Sequence, residues 1–284
     1  MIIYNRKEKN IIEIKEGLEK SLNFLYNTFL GRVILKLFLA RPYLSKLRGW
    51  YLKRGITKKD IKPFVLKNNI DVSGFDLESF KCFNDFFIRK RDKIEFEKDN
   101  NLLISPADSK LSVYKISEDL RLNIKRSSYT ISEILGDDKL SEKYKDGYCL
   151  VFRLCVDDYH RYIYTDNGEL IKKYKISGEL HTVRPVSDKC KVFSRNTREI
   201  SVLKTENFGD VVQIEVGAMF VGAIKNHEVP EFKRGQEKGY FEFGGSTIVM
   251  LYDKNIKIDD DILEYSKKDI ETKVKIGERV GKKI

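Results

Sequence analysis

A loop-to-strand junction near the C-terminus carries the residues best suited to chemistry, Gly244-Gly245-Ser246 followed by Thr247–Leu251. The two glycines free the backbone before Ser246 from the restrictions that a β-carbon imposes. The β-branched and apolar run that follows predicts a buried strand. A serine held at such a junction can attack the carbonyl of Gly245, which offers no steric shield. The alternative interpretation is an ordinary Gly-Gly turn that enters a strand.

The elements around this junction are predicted to be short strands. Gly, Asn and Asp turns separate several β-rich runs, which include Tyr148–Cys155, Val211–Val216 and Ile248–Tyr252. Strands do not alternate with long helices, which argues against a doubly wound parallel sheet. The tail from Asp253 to Ile284 is rich in charge, and we expect it to be loosely structured.

The N-terminal third is predicted to be helical. Residues 11–60 have the pattern of two or three short helices, and Pro42 should end or restart one of them. Apolar side chains recur there at intervals of three and four residues and form one stripe: Phe24, Leu25, Phe29, Leu30, Val33, Ile34, Leu37 and Phe38. We therefore predict an α+β fold, with a helical region over residues 1–80 on a mostly antiparallel, sandwich- or barrel-like β domain over residues 81–284.

The helical region also carries a concentrated positive charge. Aromatic residues, Tyr43, Trp50 and Tyr51, are interleaved with nine basic residues and no acidic one: Arg32, Lys36, Arg41, Lys46, Arg48, Lys53, Arg54, Lys58 and Lys59. This pattern is typical of helices that lie in the plane of an anionic membrane surface. No apolar run approaches the ~20 residues that span a bilayer. The alternative is a helical cap with a solvated basic face.

Composition narrows the classes of partner. The chain has 284 residues, 41% of them hydrophobic, and a formal charge of +11, which suits anionic lipid, nucleic acid, or a carboxylate or phosphate substrate. No nucleic-acid-binding motif accompanies the charge, so we do not expect nucleic acid. Four cysteines without a C-x-x-C pair and only three histidines predict no metal site. Scattered thiols are typical of a reducing cytosol.

Five segments, in their order and spacing over residues 10–280, resemble the motifs of phosphatidylserine decarboxylase proenzymes of the short bacterial kind. They are Phe83–Arg89 (F-x-x-F-F-x-R), Ser105–Ser109 (S-P-A-D-G), Asp158–Arg161 (D-Y-H-R), Val216–Ile224 (V-G-A-x-x-V-G-S-I) and Lys238–Thr247 (K-G-x-x-x-G-x-F-x-x-G-S-T). Each motif is weakly specific by itself, and the ordered set carries the resemblance.

The resemblance implies a carboxy-lyase that converts phosphatidylserine to phosphatidylethanolamine without an external cofactor or metal. In that family the serine that matches Ser246 cleaves the chain after Gly245, which here would give chains 1–245 and 246–284. The serine becomes a pyruvoyl group, whose ketone takes the substrate amine and accepts the electrons released with CO₂. The resemblance also implies a peripheral enzyme on the cytoplasmic face of the cell membrane and is compatible with a homodimer.

The resemblance further implies an Asp-His-Ser relay, in which Asp108 matches the aspartate, and His160 matches a histidine associated with decarboxylation. The family pattern D-Y-H-R-x-H has a second histidine, the usual relay base, where this chain has Ile163. Loss of a relay member costs on the order of 10⁴-fold in rate in comparable systems. His181 is a candidate replacement base. Two further departures are Ser109 in place of Gly and Arg184 in place of Asn.

Two hypotheses follow from this departure. The chain is either a working phosphatidylserine decarboxylase with a rearranged relay, or a catalytically impaired relative that keeps the fold and lipid binding. The intact Gly-Ser junction favours the first hypothesis, and Ile163 favours the second.

Overall fold

The computed structural model describes residues 1–14, 19–124, 127–219, 223–244 and 246–284. Its helices, α1 to α9 in chain order, are Glu19–Asn27, Phe29–Ile34, Pro42–Leu52, Ile61–Asn68, Phe83–Phe87, Ile131–Leu135, Asp138–Ser141, Val192–Arg195 and Asp260–Lys267. A π-helical segment, Leu35–Leu39, continues α2. Short 3₁₀ turns occupy Gly55–Asp60, Leu77–Ser79, Glu142–Tyr144 and Pro185–Cys190.

The strands, β1 to β18 in chain order, are Ile2–Asn5, Asn10–Glu13, Leu102–Ile104, Ser109–Lys115, Arg121–Ile124, Ser127–Thr130, Tyr148–Leu154, Arg161–Ile163, Gly168–Ile176, Arg198–Thr205, Gly209–Val216, Ile224–Asn226, Glu231–Phe232, Glu237–Phe241, Ser246–Tyr252, Ile256–Ile258, Glu271–Val274 and Arg279–Lys283. The three predicted strands correspond to β7, β11 and β15 and lie within one residue or two of the predicted bounds.

Ten strands form one large sheet in the order β13-β9-β10-β11-β15-β7-β4-β17-β1-β2. Its neighbouring strands are antiparallel except β1 and β17, which are parallel. Strands β12, β14 and β8 form a second sheet, β16, β18 and β3 a third, and β5 and β6 a hairpin. The predicted α+β fold with a mostly antiparallel sheet is confirmed, and the large sheet stays open without closing into a barrel.

Each face of the large sheet packs against its own hydrophobic core, because side chains alternate along a strand. Ile248, Met250 and Tyr252 of β15 pack on one side with residues of β8, β14 and α9. Val249 and Leu251 pack on the other side with residues of α6, α8 and the β5–β6 hairpin. Strand β15 is therefore buried on both faces, which explains its uninterrupted apolar sequence.

The helical N-terminal region is present, and Pro42 begins α3 as its fixed φ favours. Two differences from the sequence analysis stand out. Residues 2–13 form the β1–β2 hairpin, and β1 joins the large sheet beside β17. Most of the apolar stripe faces outward: Phe29 is 79% exposed and Leu30 is 60% exposed. Helical periodicity reveals an apolar face but not which surroundings cover it.

The prediction of a loosely structured tail is wrong. Residues beyond Asp253 form β16, α9, β17 and β18, and β17 lies in the large sheet between β4 and β1. Ile258, Ile262 and Val280 are fully buried in the core that also contains Ile248, Met250 and Tyr252. Apart from the buried Glu271, the charges that suggested disorder occupy exposed or half-buried positions between these apolar residues.

Within the described ranges no single helix has the length and apolar composition needed to cross a membrane. One pair, Glu19–Asn27 with Phe29–Leu39, reaches that threshold only when its two parts, bent by 90° to each other, are taken together.

Candidate active site

Three strand ends at one edge of the large sheet bring the predicted site residues into one region. Strands β4 and β15 begin there and β7 ends between them, because Lys110 pairs with Arg153 and Arg153 pairs with Thr247. Asp108 directly precedes β4, and Ser246 is the first residue of β15. With β7 in between, the backbones of β4 and β15 are two strand spacings apart, about 10 Å.

Ser246 is completely buried at this edge. Its side chain shares a face of β15 with Ile248 and Met250, and no hydrogen-bond partner for its Oγ is found among the described residues. The preceding Gly244 has a φ of 143°, a conformation that residues with a β-carbon rarely adopt. Gly245, the predicted cleavage position, lies outside the described residues. A buried hydroxyl left without a partner is costly, which makes Ser246 a candidate for function.

His160 is also completely buried, and its geometry fixes its tautomer. Its Nδ1 lies 2.9 Å from the carbonyl oxygen of Asp158, which can only accept, so Nδ1 carries the proton. Its Nε2 therefore presents a lone pair, and it has no hydrogen-bond partner within the described part of the chain. Burial, together with the positive charge of Arg89, lowers the pKa of His160 to about 3. The imidazole is thus neutral and able to accept a proton.

An aromatic chain connects His160 with the loop before Ser246. The ring of Phe87 lies 4.0 Å from the His160 ring and 4.9 Å from the ring of Phe243. The side-chain oxygen of Asn84 accepts a hydrogen bond from the Phe243 backbone at 3.4 Å. The motif Phe83–Arg89 contains Asn84 and Phe87, but the sequence alone assigned neither residue a role. The spacing of its phenylalanines is the sequence feature that could have predicted this aromatic packing.

The hydrogen-bond partners described for Asp108 are two basic side chains and a backbone N–H, and none of them is a histidine. Its carboxylate accepts from the Ile276 backbone N–H at 2.9 Å, from Lys275 at 3.1 Å and from Arg91 at 3.2 Å. Burial opposes its ionisation, but these three partners more than offset it and hold the pKa of Asp108 below its usual value. The described residues show no hydrogen bond between Asp108 and His160 or His181.

Ile163 lies beside the Asp108 turn. Its backbone N–H donates to the carbonyl oxygen of Pro106 at 3.0 Å, and its side chain is fully buried with Ile104, Tyr159 and Ile276. The position that carries the relay base in the family pattern is therefore near Asp108, but its surroundings are apolar. This packing explains how an isoleucine is accommodated there.

His181 lies outside this cluster. Its ring nitrogens contact Tyr26 of α1 at 3.3 Å and Glu179 at 2.9 Å. Burial lowers its pKa, against the opposing effect of Glu179. Both nitrogens are thus engaged, and the contact with Tyr26 joins α1 to the β domain. The third histidine, His227, pairs with Glu237 and is 48% exposed, as expected for a surface residue.

The only candidate metal-ligand group among the described residues is Cys155, Asp157 and Asp158. The ammonium of Lys110 already lies 2.7 Å from Asp158 and 3.7 Å from Asp157. The cation that balances these carboxylates is therefore a lysine of the chain itself. Sequence reasoning overlooked this buried pair because its members lie 48 positions apart.

A cavity of about 150 Å³, which we call the Gly244 cavity, opens at the same edge of the sheet. Gly244, Phe243 and Leu154 line it from the β domain, and Leu22 of α1 and Arg48 of α3 line it from the helices. A larger, open groove of about 680 Å³ includes Gly168 and Thr205. These two residues lie at the edge of the large sheet opposite to the edge where Ser246 lies. The smaller cavity is the one that adjoins the candidate chemistry.

Comparisons with known proteins identify the family of this chain. The sequence model of the family described as phosphatidylserine decarboxylase matches residues 83–282. Phosphatidylserine decarboxylase proenzyme 2 of Clostridium acetobutylicum is 54% identical over 98% of this chain and 97% of that protein. The proenzyme of Clostridium botulinum strain Langeland is 43% identical over 99% of this chain and 98% of that protein. The proenzyme of Ruminiclostridium cellulolyticum is 43% identical over 98% of this chain and 96% of that protein. The chain is therefore an enzyme of the phosphatidylserine decarboxylase family.

Proposed function

We propose that this chain cleaves itself between Gly245 and Ser246 and then decarboxylates phosphatidylserine to phosphatidylethanolamine with a pyruvoyl group derived from Ser246. The family is generally pyruvoyl-dependent. The observation that carries the proposal is the Ser246 hydroxyl, which is buried without a described partner two residues after Gly244, a glycine with positive φ. A hydroxyl that forms no hydrogen bond with the described residues is available for attack on the neighbouring carbonyl.

Self-cleavage requires that Ser246 Oγ bond to the carbonyl carbon of Gly245 while the peptide C–N bond breaks, which leaves an ester. Loss of the Ser246 α-proton and rupture of the Cβ–Oγ bond then release the Gly245 carboxylate. Water replaces the nitrogen on residue 246, and ammonia leaves. Each of these steps needs a group that takes a proton in a buried site.

His160 is the base that the geometry supports best. Its Nε2 carries a buried lone pair, and the Phe87–Phe243 contacts connect its ring to the loop that precedes Ser246. The nitrogens of His181 are engaged with Tyr26 and Glu179, which weighs against the replacement role that the sequence suggested. The low pKa of His160 makes it a weak base, so we expect cleavage to be slow.

The pyruvoyl group would supply the ketone that takes the substrate amine and accepts electrons as CO₂ leaves. The chain's own residues supply the surroundings of that chemistry. Phe87 and Phe243 exclude water from the space beside His160, which favours loss of a charged carboxylate. His160 can hold or deliver a proton at the reacting carbon.

The helical region fits a peripheral site on an anionic membrane at the cytoplasmic face. Among the residues that the structure describes, twelve of the sixteen exposed large hydrophobic ones lie between Phe24 and Leu66. The nine basic residues between Arg32 and Lys59 lie on the same helices and on the turns that join them. Exposed apolar side chains interleaved with positive charge suit insertion into an anionic interface. Since α1 and α3 also line the Gly244 cavity, a lipid can enter from the bilayer.

A catalytically impaired relative that keeps the fold and lipid binding is the second candidate. The observation that favours it is the pairing of Asp108 with Arg91 and Lys275, beside an isoleucine at position 163. Such a chain would stay uncut.

Intact mass spectrometry of the purified chain separates the two candidates. Self-cleavage predicts fragments 1–245 and 246–284, the latter carrying a ketone that blocks Edman degradation and that borohydride reduces. Ser246→Ala should abolish the split, while Thr247→Ser, which alters the neighbouring hydroxyl, should permit it. A chain that stays whole through long incubation with anionic vesicles would support the impaired relative.

A further inference from the structure

The charged side chains among the described residues that line the Gly244 cavity are all basic. Three arginines line it, Arg48, Arg153 and Arg184, and the described lining residues include no Asp or Glu. Arg153 forms a buried pair with Glu271 at 2.6 Å, so its charge is balanced from behind the cavity wall. Arg48 and Arg184 add two further guanidinium groups around an apolar floor that includes Leu154, Val156 and Ala218. This combination favours an anionic ligand.

The position of Arg48 is set by the loop before Ser246. Its guanidinium carbon lies 5.1 Å from the centre of the Phe243 ring, a cation–π distance. Arg48 therefore reaches from α3 over the residue that immediately precedes Gly244. An anion held there would lie beside the cleavage loop.

We propose that Arg48 and Arg184 bind the phosphodiester of the substrate head group and thereby position its amine at residue 246; this rests on the proposed function. In the head group the phosphorus lies four bonds from the amine nitrogen, a reach of about 5 Å. Gly244 is two residues from Ser246, at most about 7 Å along the chain. A phosphodiester held beside Gly244 therefore places the head-group amine within reach of residue 246.

The reacting carboxylate is the other anion of the head group, and it suits this site less well. Guanidinium groups beside it would stabilise the charged ground state that decarboxylation must discharge, which raises the barrier. The size of the cavity is also informative. Pockets for whole drug-sized ligands measure about 300–1,000 Å³, so 150 Å³ holds a head group and leaves the acyl chains outside. They can then lie along the exposed apolar side chains of α2 and α3.

A binding experiment on the uncut chain tests this subsite. Glycerophosphoethanolamine carries the phosphodiester and the amine but no carboxylate. Calorimetric titration of the Ser246→Ala chain should show binding that Arg48→Gln and Arg184→Gln each weaken by about tenfold. Arg48→Lys should weaken it less, since it keeps the charge but loses the fork. The matched control is Arg121→Gln on β5, which removes an exposed guanidinium that pairs with Asp119.

Unchanged affinity in both cavity variants would overturn the proposal. Inorganic phosphate and acetate serve as competing probes: phosphate should displace the ligand and acetate should not. Displacement by acetate alone would indicate a carboxylate site instead. Because this chain cannot cleave itself, the result is independent of whether self-cleavage occurs.

A kinetic experiment on the mature enzyme tests the positioning role with monomeric short-chain phosphatidylserine, without vesicles. We expect Arg48→Gln to raise KM about tenfold and to change kcat less than about twofold. A fall in kcat with unchanged KM would show that Arg48 acts on the cleavage loop and not on the phosphodiester. An uncut wild-type chain would contradict the proposed function and leave the calorimetric result standing.

Discussion

At the scale of single residues, the proposed chemistry depends on two buried side chains, Ser246 and His160. Ser246 presents a hydroxyl and His160 a lone pair, and neither atom has a described hydrogen-bond partner. Asp108, which the family pattern would place in a relay, is instead neutralised by Lys275 and Arg91. The site therefore has the proposed nucleophile and one imidazole, while its carboxylate forms ion pairs.

Restoring an imidazole at position 163 tests this arrangement. We predict that Ile163→His speeds self-cleavage, because residue 163 adjoins the Asp108 turn and a histidine there gives Ser246 a base that a carboxylate can orient. The buried polar ring should also lower stability by about 1–3 kcal/mol. The rate is followed by mass spectrometry of freshly purified chain. Ile163→Asn, which adds polarity without a base, is the control. Equal rates for wild type and Ile163→His would contradict the prediction.

The low pKa of His160 gives a second prediction, on stability against pH. The folded chain keeps this imidazole neutral down to about pH 3, whereas the unfolded chain binds a proton near pH 6.5. Between these values the unfolded state binds more protons, so stability is full above pH 6.5 and falls as the pH decreases. His160→Gln should remove roughly 3 kcal/mol of the loss between pH 7 and pH 4.

Urea unfolding at pH 7 and pH 4 measures this difference. The carboxylates of the chain titrate in the same pH range. They are the same in wild type and His160→Gln, so the difference between the two chains cancels their contribution to the pH dependence. An identical pH dependence in wild type and His160→Gln would show that His160 binds a proton as readily in the folded chain as in the unfolded chain, which would contradict the lowered pKa.

At the scale of elements, α3 holds the cleavage loop from outside. Lys53, directly after α3, pairs with Glu242 at 2.7 Å, and Arg48 covers Phe243. Helix α5 holds the same loop from within, through Asn84 and Phe87. The loop that carries the proposed scissile bond is thus fixed by two helices from the N-terminal part of the chain.

Breaking the Lys53–Glu242 pair should loosen this loop. Glu242 is 8% exposed at its side chain, so Lys53→Met leaves a largely buried carboxylate without this partner. We expect self-cleavage in detergent solution to slow roughly fivefold, which corresponds to about 1 kcal/mol. Lys67→Met on α4 is the control for a removed surface charge. Wild-type cleavage by Lys53→Met would mean that Asn84 and Phe87 alone hold the loop.

At the scale of the whole molecule, one surface combines exposed apolar residues, positive charge and the mouth of the Gly244 cavity. Leu22 and Arg48 line the cavity, and Phe29, Leu47 and Trp50 of the same helical region are exposed. Under the proposed function, such a surface would let a lipid head group reach the site while its acyl chains stay in the bilayer.

We predict that the chain co-sediments with anionic vesicles and much less with neutral ones. Each basic residue near the surface contributes about 1 kcal/mol, and salt screens this attraction beyond ~8 Å at physiological ionic strength. The triple variant Lys36→Gln, Arg41→Gln, Lys46→Gln should bind less. The control triple variant Lys139→Gln, Lys172→Gln, Lys204→Gln removes the same charge elsewhere. Equal binding to neutral and anionic vesicles, unaffected by salt, would remove the electrostatic part of the proposal.

The sequence by itself determined the class of fold, the strand that carries Ser246 and the family. These features depend on local patterns: a β-branched apolar run predicts the buried strand β15, and five ordered motifs indicate the family. The basic and apolar residues of the helical region were equally visible in the sequence.

Only the tertiary structure decided which partners those residues meet. The apolar stripe of α2 has the same periodicity whether it faces a core or solvent, and its exposure depends on the rest of the fold. The charged tail is ordered because β17 pairs with β4 and β1, strands that are remote in sequence. Likewise, Asp108 meets Lys275 across 167 positions and Arg48 meets Phe243 through helix packing. Pairing between distant segments leaves no local signal, so the charge balance of the site had to come from the fold.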